Sequence, residues 1–283
     1  MYRISTADFA ALALVFLVSC VTDQGEEEGP VGIAPNALEY LNAMNPNALN
    51  PNALNPNALN PNALSQNALS PGALSPAALS AIQDPGAAGD LSRQLLSYVV
   101  GCALTPAQSF RFSWTDGAGT VRHEVYWGLI GLVPSWIDKP LGQTDQQWIS
   151  ACLASRTNWY GVSVTISSRA SHPAIDKTDS PELASYTRME GAFWGNLFAP
   201  TPYLNACYNA ANRDHARSLA RECAAGHLDA SGAAQPCGMI SIRGTCDSYC
   251  QQLNMRGMYY PSCVNNLTGS PDSTTRVITV FLP

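Results

Sequence analysis

The residues of this chain whose types best suit chemistry are aromatic side chains with an amide beside them. Two such groups occur, one ending at Tyr160 and one ending at Asn196. Aromatic faces stack on the apolar faces of sugars while amides bond sugar hydroxyls, so both groups are candidate binding surfaces. Core packing is nevertheless the favoured interpretation of these aromatics, because Trp and Phe dominate protein cores. The candidate ligand-binding residues are Asn158, Trp159, Tyr160, Glu190, Phe193, Trp194 and Asn196.

Sequence motifs for catalysis do not occur in this chain. It contains no G-x-S-x-G, no S-x-x-K, no phosphate-binding loop and no H-E-x-x-H. A Ser-His-Asp site assembled from distant residues stays open, because such a site is recognised by geometry. The histidines that could supply its base are His123, His172, His215 and His227.

Glu190 is a further candidate for acid–base chemistry. With Asp138 or Asp176 it could form the carboxylate pair of a glycosidase, although we favour a solvated carboxylate at the start of a strand. The catalytic residues are therefore unknown. No cofactor and no metal site is predicted.

The nine cysteines indicate an oxidising compartment. Cys20 ends the N-terminal apolar segment, and the other eight are an even number, which favours four disulfides. We expect Cys102 to pair with Cys152, because each lies on the inner face of a predicted helix. The remaining six can pair among themselves: Cys207, Cys223, Cys237, Cys246, Cys250 and Cys263. A zinc site is the alternative for Cys237, Cys246, Cys250 and His227, but exported thiols oxidise readily.

Residues 1–19 have the composition of an export signal. Arg3 precedes an apolar run from Phe9 to Val18 that is too short to cross a bilayer as a helix. Leu17-Val18-Ser19-Cys20 resembles the lipobox of bacterial lipoproteins, in which the cysteine is acylated and becomes the mature N-terminus. An ordinary cleaved signal is the alternative, but no A-x-A site precedes Cys20. We therefore expect Cys20 to anchor the protein in the bacterial cell envelope, at the outer membrane or cell surface.

Residues 20–86 are expected to form a disordered, turn-rich stalk. The unit Asn-Pro-Asn-Ala-Leu repeats from Asn45 to Leu64 and decays towards Ser80. Proline at every fifth position removes an amide donor and excludes a continuous helix or central strand. A pentapeptide-repeat β-helix is the alternative, but the residue order around each Leu would turn Asn inward, and the units would close only about two coils. The stalk would hold the domain away from the membrane.

Residues 87–283 are predicted to form one disulfide-stapled α+β domain with a mostly antiparallel sheet and two or three helices. Helical spacing predicts helices over 91–104 with Asp90 as N-cap, over Asp145–Arg156 and over Arg213–Cys223. Alternation of polar and apolar residues predicts a hairpin and three more strands. Because Ser and Thr alternate with apolar residues, we expect one face of the sheet to lie in water. The strands are Ser109–Trp114, Val121–Trp127, Gly161–Ser167, Met239–Ile242 and Arg276–Phe281.

The repeats and several domain segments together resemble a family of uncharacterised myxobacterial predicted lipoproteins with N-terminal Asn-Ala-Leu repeats. The matching domain segments are 95–104, 131–134, 146–153, 156–158, 160–162 and 190–198. The resemblance spans nearly the whole mature chain and implies the envelope location and the architecture. The family has no assigned activity, so the resemblance supplies no catalytic residue.

Charge narrows the range of partners. The chain has 15 basic and 21 acidic residues, a net charge of −6, and no basic cluster, so nucleic acid is not expected as a partner. The favoured function is a binding or interaction domain displayed on a stalk, with an extracellular glycan or an envelope protein as ligand and membrane contact through the N-terminal lipid. The alternative is an exported hydrolase whose active site is not visible in sequence. A shallow aromatic patch would favour binding, and a deep polar cleft would favour catalysis.

Overall fold

A computed structural model of the chain describes residues 37–38, 44, 61, 64, 67–70, 72–176, 180–265 and 272–283. All of them belong to Gly32–Pro283, one of two units into which contacts divide the chain. The lipobox, Cys20 and most of the repeat lie outside the described residues. The predicted α+β fold with four disulfides is confirmed.

The helices of the described part number six, more than the two or three expected. They are α1 Pro76–Gln83, α2 Ala87–Ala103, α3 Gln143–Ser155, α4 Ser180–Ser185, α5 Arg213–Ser218 and α6 Cys246–Tyr249. The three predicted helices correspond to α2, α3 and α5. Gly86 rather than Asp90 is the N-cap of α2. Within the described residues, no helix combines the length and apolar character that a membrane span requires.

Twelve strands form one large sheet and three small ones in the described part. They are β1 Ala37–Leu38, β2 Ser109–Thr115, β3 Val121–Trp127, β4 Ile166–Arg169, β5 Arg188–Asn196, β6 Tyr203–Tyr208, β7 His227–Leu228, β8 Ala234–Gln235, β9 Ile240–Thr245, β10 Cys263–Val264, β11 Ser273–Thr274 and β12 Ile278–Leu282. The large sheet has the order β1-β4-β12-β5-β6-β9 and is antiparallel except for the β6–β9 pair. The predicted hairpin is confirmed as β2–β3.

The large sheet is buried on both faces, which corrects the expectation of one wet face. Phe193 on β5 belongs to the core under α2 and α3, while its neighbour Trp194 belongs to a second core on the opposite face. That second core includes Tyr260 and the cysteines of the C-terminal region. Ser and Thr on these strands are therefore buried as well; Ser167 and Thr279 are both 0% exposed.

One predicted strand is much shorter than expected. Gly161–Ser167 alternates in sequence, but the strand begins only at Ile166. Gly161 has a φ of 65° and Val162 is 43% exposed, so the chain turns along the surface before it enters the sheet.

Disulfides occur in both cores, one on each face of the large sheet. Cys102 at the end of α2 bonds Cys152 in α3, with Cα atoms 6.1 Å apart, which confirms the predicted pair. The other six cysteines pair among themselves, as expected. Their bonds are Cys207–Cys246, Cys223–Cys237 and Cys250–Cys263. The C-terminal region is thereby fastened to β6 across the second core.

The end of the expected stalk is part of the domain. Ser75 caps the N-terminus of α1, and Pro76 occupies its first turn, where a proline is tolerated. The sequence from Ala77 to Asp84 contains no proline, so the helix can continue there. Upstream of α1, the backbone N–H of Leu69 donates to the carbonyl of Trp136 at 2.8 Å. The predicted stalk boundary at residue 86 is therefore wrong, because described residues before it already belong to the folded domain.

Buried side chains show how firmly this segment is docked. Leu64, Leu69, Leu74 and Ile82 are all less than 9% exposed and belong to the main core. The guanidinium of Arg93 donates to the carbonyls of Ile82 at 2.9 Å and Asp84 at 2.7 Å and so caps the C-terminus of α1. A helix end satisfied by a side chain from the next helix is a specific contact.

Replacing Ile82 with Ala tests this docking. The side chain is 0% exposed, so the variant should lower the free energy of unfolding by about 2–5 kcal/mol through lost burial and a cavity. Ser80→Ala, on the exposed side of the same helix, is the control and should change it by less than about 0.5 kcal/mol. Urea unfolding followed by tryptophan fluorescence measures both. Equal stability of the two variants would contradict the docking of α1 in the core and would make this segment part of the stalk.

Candidate functional site

The aromatic group on β5 is part of the core. Phe193 and Trp194 are 0% exposed, and Asn196 is 3% exposed. The amide of Asn196 is occupied within the protein: Nδ2 donates to Oε1 of Gln146, and Oδ1 accepts from the backbone of Phe198. The prediction that these three residues contact a ligand is therefore wrong. A nine-residue strand buried on both faces presents none of them to solvent.

Glu190 is buried as well, which contradicts the expectation of a solvated carboxylate. It is 1% exposed, and its Oε2 accepts from Nε of Arg221 at 3.1 Å and from a terminal nitrogen of Arg221 at 3.0 Å. Asp138 and Asp176 are exposed on the surface. The Glu190 carboxylate is inaccessible to a substrate, so the glycosidase pair is not formed. Burial raises the pKa of Glu190, and the charge and hydrogen bonds of Arg221 oppose that rise.

Arg221 joins this strand to the end of helix α3. Its guanidinium also donates to the carbonyls of Ser155 at 2.7 Å and Thr157 at 3.0 Å. Ser155 is the last residue of α3 and Thr157 lies two residues beyond it, at the helix end where the dipole favours a positive charge. One buried side chain thus binds one oxygen of a carboxylate and two backbone acceptors, which fixes the segment after α3 against β5.

Asn158 is a positioning residue and not a ligand contact. It is 0% exposed. Its Nδ2 donates to the carbonyl of Ala220 at 2.9 Å, and its Oδ1 accepts from the backbone of Tyr160 at 2.8 Å. The amide therefore ties the Trp159-Tyr160 turn to the loop that carries Arg221 and Glu222.

Ala220 shapes that loop. The backbone N–H of Ala220 donates to the carbonyl of Arg217, and that of Arg221 donates to Ala216, both at 2.9 Å. This pair of bonds is the Schellman ending of a helix, whose left-handed residue is usually glycine. Here the residue is Ala220, with a φ of 57°. The motif ends α5 before Cys223, where the helix was expected to end, and turns Arg221 inward.

The surface beside this loop brings together Trp159, Tyr160, Glu222 and His227. Oε2 of Glu222 lies 2.6 Å from Nδ1 of His227. The imidazole stacks on the Trp159 indole, with centroids 4.2 Å apart and planes at 11°. The Tyr160 hydroxyl donates to Oε1 of Glu222 at 3.1 Å, and its ring meets His227 edge-on. Trp159, Tyr160 and His227, all candidates from the sequence, therefore form a site with Glu222, a carboxylate that the sequence analysis did not single out.

The exposed fraction of Tyr160 differs sharply from those of His227 and Glu222. Tyr160 is 50% exposed, whereas the side chains of His227 and Glu222 are 22% and 10% exposed. Partial burial, followed by the hydrogen bond to Glu222, raises the pKa of the Tyr160 hydroxyl, which stays protonated at neutral pH. The site is a half-exposed aromatic ring backed by a polar pair, and it lies at the surface.

A tight hairpin presents His227 to the site. His227 pairs with Gln235 across β7 and β8. Asp229 organises the turn by accepting from the backbone and hydroxyl of Ser231, from the backbone of Ala233 and from the side chain of Gln235. The Ser231 hydroxyl and these further donors lower the pKa of Asp229 to about 2. The carboxylate therefore stays ionised and the turn ordered across the physiological range.

The other histidines occupy simpler surroundings. His123 lies 2.8 Å from the hydroxyl of Ser113 on an exposed hairpin. His172 packs edge-on against Trp148, and burial lowers its pKa. His215 contacts the carbonyl of Pro283. Within the described residues, His227 is thus the histidine paired with a carboxylate.

The zinc alternative is contradicted by the cysteines themselves. Cys237, Cys246 and Cys250 are each in a disulfide and cannot act as thiolate ligands. No group of His, Cys, Asp and Glu side chains suited to a metal occurs in the described ranges.

Comparison with known proteins adds no relative. No protein-family model, no curated protein and no solved structure matches the chain significantly. The function must therefore be argued from the site.

Replacing Ala220 with Gly tests the loop geometry. Glycine relieves about 1–2 kcal/mol of left-handed strain but adds about 0.5–1 kcal/mol of entropy to the unfolded chain, so the variant should be more stable by roughly 0.5–1 kcal/mol. Ala88→Gly, in the first turn of α2, is the control and should be less stable by up to about 1 kcal/mol. Differential scanning calorimetry compares the two. A loss of stability in Ala220→Gly would contradict the Schellman assignment.

Proposed function

We propose that this chain is an exported, lipid-anchored protein of the bacterial cell envelope whose disulfide-bonded domain binds a glycan. The lipobox-like Leu17–Cys20 and the repeat support the anchor and the spacer. Four disulfides in a domain of this size support an oxidising compartment.

The observation that carries the binding role is the half-exposed ring of Tyr160 beside the Glu222–His227 pair. A flat ring offers a stacking face for the C–H groups of a sugar, and the adjacent imidazole and carboxylate offer hydrogen bonds to hydroxyls. Val162, two residues after Tyr160, and Leu228, next to His227, are 43% and 40% exposed, so exposed apolar side chains flank the site in sequence. A surface patch of this kind favours recognition over chemistry.

The polar pair is already organised before any ligand arrives. Trp159 holds the imidazole by stacking, and Asn158 holds the Tyr160 turn from beneath. A rigid site loses little conformational entropy on binding, which raises affinity for a weakly held ligand such as a glycan.

The Glu222–His227 contact also supports the second candidate, an exported hydrolase. A carboxylate on Nδ1 orients an imidazole so that Nε2 can act as a general base, as in hydrolytic triads. The hydroxyl that contacts this pair is that of Tyr160, which lies on the same Nδ1 side. The hydrogen-bond contacts described for His227 are both made at Nδ1, to Glu222 and Tyr160, so binding is the function that the geometry supports better.

Tyr160→Ala should weaken glycan binding at least tenfold, because it removes the exposed stacking face. Tyr160→Phe keeps that face and should bind within about threefold of the natural chain. Val121→Ala removes an exposed apolar side chain from the β2–β3 hairpin and is the control. The probes are soluble peptidoglycan fragments and lipopolysaccharide O-polysaccharide, titrated by calorimetry into the mature chain.

Three results would contradict the proposal. If neither probe bound the natural chain, the proposal of glycan binding would be refuted. If Tyr160→Ala bound the probes as tightly as the natural chain does, the glycan would have to bind at another surface. Release of reducing ends that stops in His227→Gln would establish the hydrolase instead.

A further inference from the structure

Two disulfides meet in the second core. Cys207 on β6 bonds Cys246 at the start of α6, and Cys250, directly after α6, bonds Cys263 on β10. Sγ of Cys207 lies 3.7 Å from Sγ of Cys250, so one sulfur of each bond contacts the other bond. Disulfides exchange when a thiolate attacks one of their sulfurs. A thiolate formed at Cys250 would therefore lie beside a disulfide that it can attack.

Solvent exposure distinguishes Cys250 from the other cysteines. Among the eight disulfide-bonded cysteines, seven are at most 1% exposed, whereas Cys250 is half-buried. A dissolved thiol attacks a disulfide at a sulfur that it can reach, so access decides which bond opens first. The surface disulfide of this domain is therefore Cys250–Cys263.

Opening the surface disulfide does not release Cys250 from its place. Its backbone N–H donates to the carbonyl of Cys246 at 2.8 Å, and the next amide, that of Gln251, donates to the carbonyl of Ser262 at 2.9 Å. These hydrogen bonds hold the turn after α6 independently of the disulfide, so a freed Cys250 thiol stays beside Cys207. Two reacting groups that are held in contact react much faster than the same groups in solution.

We propose that these four cysteines form a redox relay, in which reduction of the surface disulfide moves the bond of Cys207 from Cys246 to Cys250. The reductant is a dithiol, either a small molecule or a reducing protein of the envelope. Its first thiolate attacks Sγ of Cys250 and releases Cys263 as a thiolate. Its second thiolate then attacks the first sulfur, releases Cys250 as a thiolate and closes the dithiol's own disulfide. The dithiol loses two electrons, and the surface disulfide gains them.

The second step of the relay needs no further reductant. The Cys250 thiolate attacks Sγ of Cys207, the bond to Cys246 breaks, and Cys246 leaves as a thiolate that takes a proton from water. One disulfide is broken and one is formed, so this step exchanges no electrons with the surroundings. Afterwards β6 is bonded to the end of α6 instead of its start, and β10 has lost its covalent link to α6. The relay shares no residue with the Tyr160 surface and does not rest on the glycan proposal.

Brief treatment of the mature chain with dithiothreitol, without denaturant, tests the relay. The reaction is stopped with acid, free thiols are alkylated with N-ethylmaleimide, and the remaining bonds are mapped by mass spectrometry of the unreduced digest. Cys250–Cys263 should open at least about tenfold faster than the two disulfides outside this group, because access controls the rate. The digest should then contain Cys207–Cys250, with Cys246 and Cys263 alkylated.

Cys263→Ser provides a second test that needs no reductant. This variant leaves the Cys250 thiol free beside Cys207, so mapping should find a mixture of Cys207–Cys246 and Cys207–Cys250. Cys250→Ser is the matched control, because it also leaves one free thiol but removes the sulfur that contacts Cys207. It should retain Cys207–Cys246 alone.

Two results would overturn the proposal. The first is a Cys207–Cys246 bond that stays intact in every natural chain whose surface disulfide has been alkylated, and in Cys263→Ser. The second is a Cys207–Cys250 bond that appears only once the disulfide between α2 and α3 has opened, since the exchange would then follow unfolding. Neither result depends on whether the domain binds a glycan.

Discussion

The buried ion pair between Glu190 and Arg221 is the contact on which the arrangement of the site depends. Both side chains are fully buried, and the guanidinium also donates to two carbonyls at the end of α3. Desolvating two charges is costly unless their remaining hydrogen-bonding groups are satisfied. Arg221 meets this condition by binding three acceptors at once, whereas Oε1 of Glu190 is buried without a hydrogen-bond partner among the described residues. The central strand, the end of a helix and the loop after α5 are therefore held at one point.

The site follows from that point by short covalent and hydrogen-bonded steps. Glu222 is next to Arg221 in sequence, and with Arg221 turned inward its carboxylate reaches His227 and Tyr160 on the surface. Asn158 completes the link by joining the Tyr160 turn to Ala220. The strained backbone at Ala220 belongs to the same unit, and strain of this kind persists where the surrounding contacts fix the conformation.

Sequence reasoning predicts the parts of this structure that depend on local pattern. The α+β class, the β2–β3 hairpin and the Cys102–Cys152 bond follow from alternation and from cysteines on helix faces. It fails where long-range contacts decide. Glu190 has the sequence context of a strand start, and only Arg221, 31 residues away, makes its burial tolerable. Pro76 resembles one more unit of the repeat, yet the proline-free residues after it form a helix in the core. Glu222 belongs to no motif. Its position five residues before His227 was nevertheless a usable signal, because only 13% of the residues in this chain are charged.

A double-mutant cycle on Glu190 and Arg221 tests this account most directly. Arg221→Met and Glu190→Leu should each lower the free energy of unfolding by about 3–5 kcal/mol, because each leaves a buried charge without its partner. The double variant should lose at least about 2 kcal/mol less than the sum of the two, as groups in one ion pair are coupled. Urea unfolding of the four chains gives the coupling energy. Losses that add to within about 0.5 kcal/mol would contradict the claim that this pair holds the strand, the helix end and the loop together.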